Sequence, residues 1–220
     1  MEPIFNEELA AKVREAGVIA VLVVDNVRDA VPLAQSLLDG GVEVMELTLR
    51  TPAALEALRA IREEVPGMTA GIGTILTPEQ VREVVDAGAA FGVAPGTNPR
   101  VLEAAVGAGL SFAPGVATPS DIERALEFGC RMLKFFPAEP SGGIPYLKSM
   151  AAPYLHLNLE FMPLGGLNAG NMPDYLQSSL VAAVGGSWLA RRPVIQDRDW
   201  HRITEQAREA TAKVRSLRKA

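Results

Sequence analysis

Lys134 stands in the middle of an apolar stretch, RMLKFFPAE (131–139), crowded by Met132, Leu133, Phe135 and Phe136. An ammonium ion buried without a partner loses much of its hydration energy. The side chain must therefore reach water, pair with an anion, or do chemistry that needs a neutral amine. A candidate partner is Glu46 in GVEVMELTLRT (41–51), and the guanidinium of Arg50 follows in the same stretch. A carboxylate beside an amine can be a structural ion pair. It can also move protons for an amine that acts as a nucleophile. These residue types alone leave both readings open.

The elements that must position these groups are legible as a repeat. Strand-like apolar runs occur at 18–24, 42–49, 69–75, 90–96, 110–117, 131–138, 159–166 and 180–186. They are rich in Val, Ile, Leu and Phe, and most end near Gly, Pro or Thr. Helical patterns lie between them. In TPAALEALRAIREEV, Leu55, Leu58, Ile61 and Val65 recur at three- and four-residue intervals. TPEQVREVVDAG opens with Thr77 as N-cap, Pro78 at the first helical position and Gln80 at the capping-box position. TPSDIERALEFG repeats that grammar from Thr118, and Ile203, Ala207, Ala210, Val214 and Leu217 mark one face of a C-terminal helix.

Repeated strand–helix units predict a parallel sheet. Eight of them predict one α/β domain over residues 1–220, a closed (β/α)8 TIM barrel. Phe5, Leu9 and Val13 add an extra N-terminal helix packed on it. An open doubly wound sheet usually carries a glycine-rich nucleotide loop after its first strand. Here that position reads DNVRDA, without glycine.

Side chains alternate along a strand. Val42, Val44, Glu46, Thr48 and Arg50 then share one face of the second strand, with Met45, Leu47 and Leu49 on the other. In the sixth, Met132, Lys134 and Phe136 oppose Leu133 and Phe135. Glu46, Arg50 and Lys134 can thus converge near the C-terminal end of the barrel, where barrel enzymes keep their chemistry. The last two runs end in paired glycines, in PLGGLNAGN (163–171) and VGGSWLA (184–190). The loops after strands seven and eight form the recurrent phosphate site of this fold. Gly165, Gly166, Gly185 and Gly186 let backbone N–H groups approach an anion, and Ser187 adds a hydroxyl. Ordinary turn glycine is the plainer alternative.

Composition narrows the field. A net charge of −5 gives no basic footprint for nucleic acid. The single cysteine, Cys130, rules out an internal disulfide and fits a reducing cytoplasm. The acidic start MEPIFNEELA lacks the basic region of a signal peptide, and the run at 18–24 is far too short to span a membrane. The expectation is a cytoplasmic protein with no membrane association. His156 and His201 have no partner at ligand spacing, so no zinc site is expected; a carboxylate-held magnesium site stays open.

In GVEVMELTLRT, GIGTIL, APGTNP, FAPGVATPSD, LKFFPAE, PLGGL and GGSWL, taken in order, the sequence resembles the 2-keto-3-deoxy-6-phosphogluconate aldolase family, which also cleaves 4-hydroxy-2-oxoglutarate. The match covers nearly the whole chain, and ELTLRT and KFFPAE are its most specific parts. The resemblance implies a class I aldolase that needs no metal or other cofactor and typically forms a homotrimer. Its substrate would be a small phosphorylated keto acid. Lys134 would form the Schiff base and Glu46 would shuttle protons, partly through water. Arg50 and Thr74 would hold the pyruvyl carboxylate, and Pro95 and Phe136 would line its pocket. Gly165, Gly166, Gly185, Gly186 and Ser187 would take the phosphate.

An amine attacks a ketone only when neutral. Burial among Met132, Phe135 and Phe136, with Arg50 nearby, works against the ammonium form, whereas Glu46 favours it. The pair is expected to titrate as coupled groups. The sequence departs from the family pattern at Leu164, where gluconate-acting relatives usually carry a threonine beside the substrate's C4 hydroxyl. Relaxed C4 stereospecificity is the expected consequence. A phosphate-binding barrel isomerase and a non-catalytic phosphosugar-binding protein are the competing readings.

Overall fold

The computed structural model describes residues 4–218. It is an α/β fold built on a curled, all-parallel sheet. The strands are β1 (Val18–Leu22), β2 (Val44–Thr48), β3 (Thr69–Gly73), β4 (Gly92–Val93), β5 (Phe112–Ala113), β6 (Gly115–Val116), β7 (Met132–Phe135), β8 (Glu160–Pro163) and β9 (Val184–Gly186). They pair in the orders β5-β4-β3-β2-β1-β9 and β6-β7-β8. The fifth predicted run therefore appears as two strands. Pro114 sits between them and has no N–H to donate. β5 pairs with β4 and β6 pairs with β7, so this one run passes from one sheet to the other. Isolated bridges Phe161–Val181 and Leu164–Gly185 join β8 to the β9 segment.

Helices α1 (Glu7–Ala16), α2 (Ala30–Asp39), α3 (Ala54–Glu64), α4 (Pro78–Asp86), α5 (Pro99–Gly107), α6 (Pro119–Glu127), α7 (Gly143–Ala151), α8 (Met172–Leu176), α9 (Arg192–Gln196) and α10 (Trp200–Arg218) complete the chain. The capping grammar is realised. Thr77 accepts from the Gln80 N–H, and the Gln80 side chain returns the bond. At α6 the same box forms between Thr118 and Asp121. A box satisfies two N–H groups that the first helical turn leaves unpaired. On α10, Ile203, Ala207, Ala210 and Val214 are buried as their spacing requires. Thr211 joins them and donates to the Gly40 carbonyl at 2.8 Å, tying α10 to the end of α2.

Two apolar layers result. Met45, Leu47, Leu133 and Phe135 pack outward among helix residues such as Leu33, Leu58 and Ile122. Val44, Val93, Met132 and Met162 pack inward. The predicted parity holds from Val44 to Thr48. It fails at Val42, which lies before the strand begins and joins the outer layer. The expected N-terminal helix forms at Glu7–Ala16, after Phe5. Phe5, Ala10 and Val13 pack with the inward layer, so α1 closes the end where the strands begin. The Phe5 and Phe91 rings lie 6.2 Å apart at that plug.

Cys130 is fully buried in the outer layer, and burial pushes its thiol up to about 12. The thiolate is the reactive form of cysteine. Native protein at pH 8 is therefore expected to resist a disulfide-exchange reagent and to release one equivalent of thiol only in denaturant. Rapid labelling of the native protein would contradict this.

Candidate active site

β2 and β7 carry the two charged groups to the middle of the curl. Glu46 and Lys134 are only 2% and 5% exposed. Lys134 Nζ donates to Glu46 Oε1 at 3.4 Å, a long contact. The same Nζ lies 5.2 Å from the centre of the Phe136 ring, within cation–π range. Among the described residues no hydrogen bond reaches the other carboxylate oxygen, Oε2, and Glu46 lines a cavity. Glu46 can thus hold the lysine with one oxygen and reach a bound molecule or water with the other.

The space for Glu46 comes from the neighbouring strand. A methyl group on Gly73 would stand 1.6 Å from Glu46 Oε1, so only glycine lets the carboxylate lie over β3. The next residue, Thr74, has φ = +65°, which is unusual for a β-branched side chain. It is held on both sides: Leu49 N–H donates to the Gly73 carbonyl at 2.9 Å and Ile75 N–H to Val93 at 3.2 Å.

Arg50 lies in the turn beyond β2 and is exposed. Its Nε donates to Thr48 Oγ1 at 3.1 Å, and it forms no ion pair among the described residues. Its outer nitrogens remain available to an anion.

These groups face one cavity of about 350 Å³ at the C-terminal ends of the strands. Glu46, Arg50, Thr74, Pro95, Lys134 and Phe136 line it, together with Leu164, Gly165, Gly166, Gly186 and Ser187. Gly185 stands apart. It is buried, and a methyl there would meet Leu164 at 2.8 Å, so its bareness makes room for Leu164. A larger hollow of about 490 Å³ lies beside the start of β8, lined by Glu7, Tyr154 and Glu160 among others. It contains neither Lys134 nor the glycine loops.

The first glycine loop is built for close approach. Gly165 and Gly166 have φ of +97° and +86°. Gly166 packs on Glu139, which a methyl would meet at 2.6 Å. Glu139 is itself held by the Tyr175 hydroxyl, and its N–H donates to Gly165 O at 3.0 Å. Burial and the Glu139 carboxylate push the Tyr175 phenol well above its ordinary range, so it stays a donor. Asn171 Nδ2 ties down the Gly166 carbonyl at 3.2 Å. The N–H groups of Gly166 and Leu167 find no protein acceptor among the described residues. Successive unpaired N–H groups make an anion-binding concavity.

Sequence reasoning passed over three lining residues: Val21, Thr48 and Leu167. Thr48 shares the inward parity of Glu46, and Leu167 directly follows a glycine pair. Val21 is opposite Glu46 in the β1–β2 register, which becomes visible only once the strands are paired.

A parallel α/β protein that buries a lysine–carboxylate pair in a cavity shared with a glycine loop has the residue types that covalent chemistry on an anionic carbonyl compound would need. Comparison with known proteins narrows the reading. Residues 9–206 match the aldolase family described as KDPG and KHG aldolase, and the chain belongs to that family. It is 42% identical over 204 residues to the 2-dehydro-3-deoxy-phosphogluconate aldolase of Dickeya dadantii, covering 92% of this chain and 95% of the relative. It is likewise 42% identical over 193 residues to the KHG/KDPG aldolase of Escherichia coli K12, with 88% and 90% covered. A crystal structure of KDPG aldolase from Legionella pneumophila, with pyruvate captured at low pH as a covalent carbinolamine intermediate, superposes with a TM-score of 0.86. It is 40% identical, with 90% and 96% of the two chains covered.

Proposed function

We propose that this chain is a class I aldolase that cleaves 2-keto-3-deoxy-6-phosphogluconate to pyruvate and glyceraldehyde 3-phosphate, with activity extending to 4-hydroxy-2-oxoglutarate. The observation that carries the proposal is the Lys134–Glu46 pair, 3.4 Å apart in a cavity that a glycine loop also lines. Family membership favours this reading over an isomerase or a non-catalytic phosphosugar-binding protein.

The roles follow from position. The neutral amine of Lys134 adds to the C2 ketone, and loss of water gives a protonated imine. A base takes the proton from the C4 hydroxyl, and the C3–C4 bond breaks. Its electron pair passes into the imine to form an enamine on Lys134, while C4 leaves as the aldehyde carbon of glyceraldehyde 3-phosphate. The enamine gains a proton at C3, and water hydrolyses the imine to release pyruvate and free lysine. Glu46, which lines the cavity with one oxygen toward Nζ, is the proton carrier for these steps. Arg50 and Thr74 take the pyruvyl carboxylate between Pro95 and Phe136. Gly165, Gly166, Gly186 and Ser187 take the phosphate, and Gly185 supports them from below. No metal or other cofactor enters this sequence.

The two seams of the sheet support a closed (β/α)8 barrel as a single domain over residues 1–220. One seam is the continuous chain from β5 to β6, the other the bridges from β8 to the β9 segment. No helix among the described residues is long and apolar enough to cross a membrane. We assign the enzyme to the cytoplasm, and by the family pattern to a homotrimer, which light scattering tests.

The deciding experiment is reduction with borohydride in the presence of pyruvate, followed by peptide mapping. A pyruvyl adduct on Lys134 is expected. An adduct on Lys148, or none, sinks the assignment.

Leu164 shapes a narrower expectation. It is buried, lines the cavity and offers no hydrogen bond. A wall without a polar group discriminates a hydroxyl's configuration weakly. The enzyme is expected to accept both the gluconate and the galactonate phosphates, and Leu164→Thr is expected to sharpen the choice. The measurement is kcat/KM for the two epimers. A strong gluconate preference in the parent, unaltered in the variant, removes Leu164 from the selection.

A further inference from the structure

Arg50 presents a mechanical problem. Its side chain is long, exposed and free of ion pairs among the described residues. A side chain of this kind has many rotamers to lose, which opposes any single pose. The turn that carries it lies outside the β2 ladder, whose last residue is Thr48. The register between β1 and β2 ends at Leu22–Leu47.

Two hydroxyls take over where the ladder stops. Thr48 Oγ1 donates to the Leu22 carbonyl at 3.1 Å, and Thr51 Oγ1 donates to the Val24 carbonyl at 2.5 Å. The threonines flank Arg50 and fasten its turn to the chain leaving β1. Thr48 does more. Having spent its proton on Leu22, its oxygen can only accept from Arg50, and it receives the Arg50 Nε–H at 3.1 Å. The bonds form one directed chain from Arg50 Nε through Thr48 Oγ1 to Leu22 O. Thr48 is 3% exposed, so water competes poorly for this acceptor, yet it borders the cavity.

We infer that Thr48 is a positioning residue for the known type of reaction: it fixes the Arg50 guanidinium so that its outer nitrogens meet the carboxylate of the keto acid. The inference rests on the reading of Arg50 as the carboxylate's partner. Thr51 anchors the turn without touching the guanidinium, and it serves as the internal control.

The test measures the pyruvate concentration that half-saturates borohydride trapping on Lys134, and in parallel the trapping of acetone, a ketone with no carboxylate. Thr48→Val keeps the shape and removes the relay. It is expected to raise the half-saturating pyruvate concentration about tenfold, the scale of losing a hydrogen bond to a charged group. Trapping of acetone is expected to stay at the parent level, and Thr48→Ser to restore the parent value for pyruvate. Thr51→Val is expected to lower the melting temperature without this selective loss. If Arg50→Ala weakens pyruvate trapping and Thr48→Val does not, the relay is refuted while the Arg50 reading stands. If Arg50→Ala changes nothing, the Arg50 reading fails and the inference falls with it. Equal losses for pyruvate and acetone in Thr48→Val indicate a purely structural role and also overturn the proposal.

Discussion

Replacing Glu46 with glutamine is expected to slow aldol cleavage by about 10²–10⁴-fold, the usual contribution of a positioned acid or base. The pyruvate adduct on Lys134 should still form and be trapped. Glutamine has the same reach and fits the same bay over Gly73, but it cannot accept and return a proton. Exchange of the pyruvate methyl protons in deuterated water isolates the step, since it needs only the imine, the enamine and a proton carrier. Exchange as fast as in the parent would show that another group moves the proton. Gly73→Ala offers an independent approach to the same carboxylate. The added methyl would lie 1.6 Å from Glu46 Oε1, so the carboxylate must leave its place while remaining in the molecule. A loss of turnover comparable to that of Glu46→Gln is the expected result.

Much of this site was legible in the chain because strands alternate and helices repeat. Lys134 and Glu46 were each placed inward by counting in twos, and the structure brings them together across the interior, lining one cavity from strands that are not neighbours. What escaped counting was set by neighbours remote in sequence. Gly73 is an unremarked glycine until β3 lies beside β2, where it becomes the floor under Glu46. Thr48 was given its face but not its task, because its two hydrogen-bond partners come from a different strand and from the turn beyond its own. The fifth apolar run was continuous as a pattern, yet Pro114 splits its ladder, and hydropathy does not register a missing N–H. Spacing gave α1 an apolar face, and that face closes the interior instead of lying on the outer helices. Gly185 and Gly186 look alike in sequence. One lies beneath Leu164 and the other faces the cavity, a difference decided by Leu164 and by the turn into Ser187.

Lys134→Arg separates the two explanations for a lysine in this place. A guanidinium keeps the positive charge beside Glu46 but stays charged under all practical conditions, so it cannot add to a ketone. If Lys134 existed only to pair with Glu46, the arginine variant would keep its activity. The expected result is loss of turnover to the background rate with no borohydride-trapped adduct. Lys134→Met completes the comparison by removing both the nucleophile and the charge. Breaking a buried pair by deleting one partner costs about 3–5 kcal/mol. Because Glu46 borders the cavity, the cost should fall toward the lower end of that range. Adding Glu46→Gln to Lys134→Met removes the orphaned carboxylate and should recover part of the loss, which urea denaturation of the parent and the three variants of a double-mutant cycle measures. Activity should not recover with stability. That divergence is the signature of a lysine kept in an apolar strand for its chemistry: the fold tolerates its charge because Glu46 lies beside it, and it tolerates its absence once Glu46 is neutral. Should the double variant stay as unstable as Lys134→Met alone, the pair's contribution to stability would lie in packing, and the electrostatic account of why Lys134 can be buried would have to be given up.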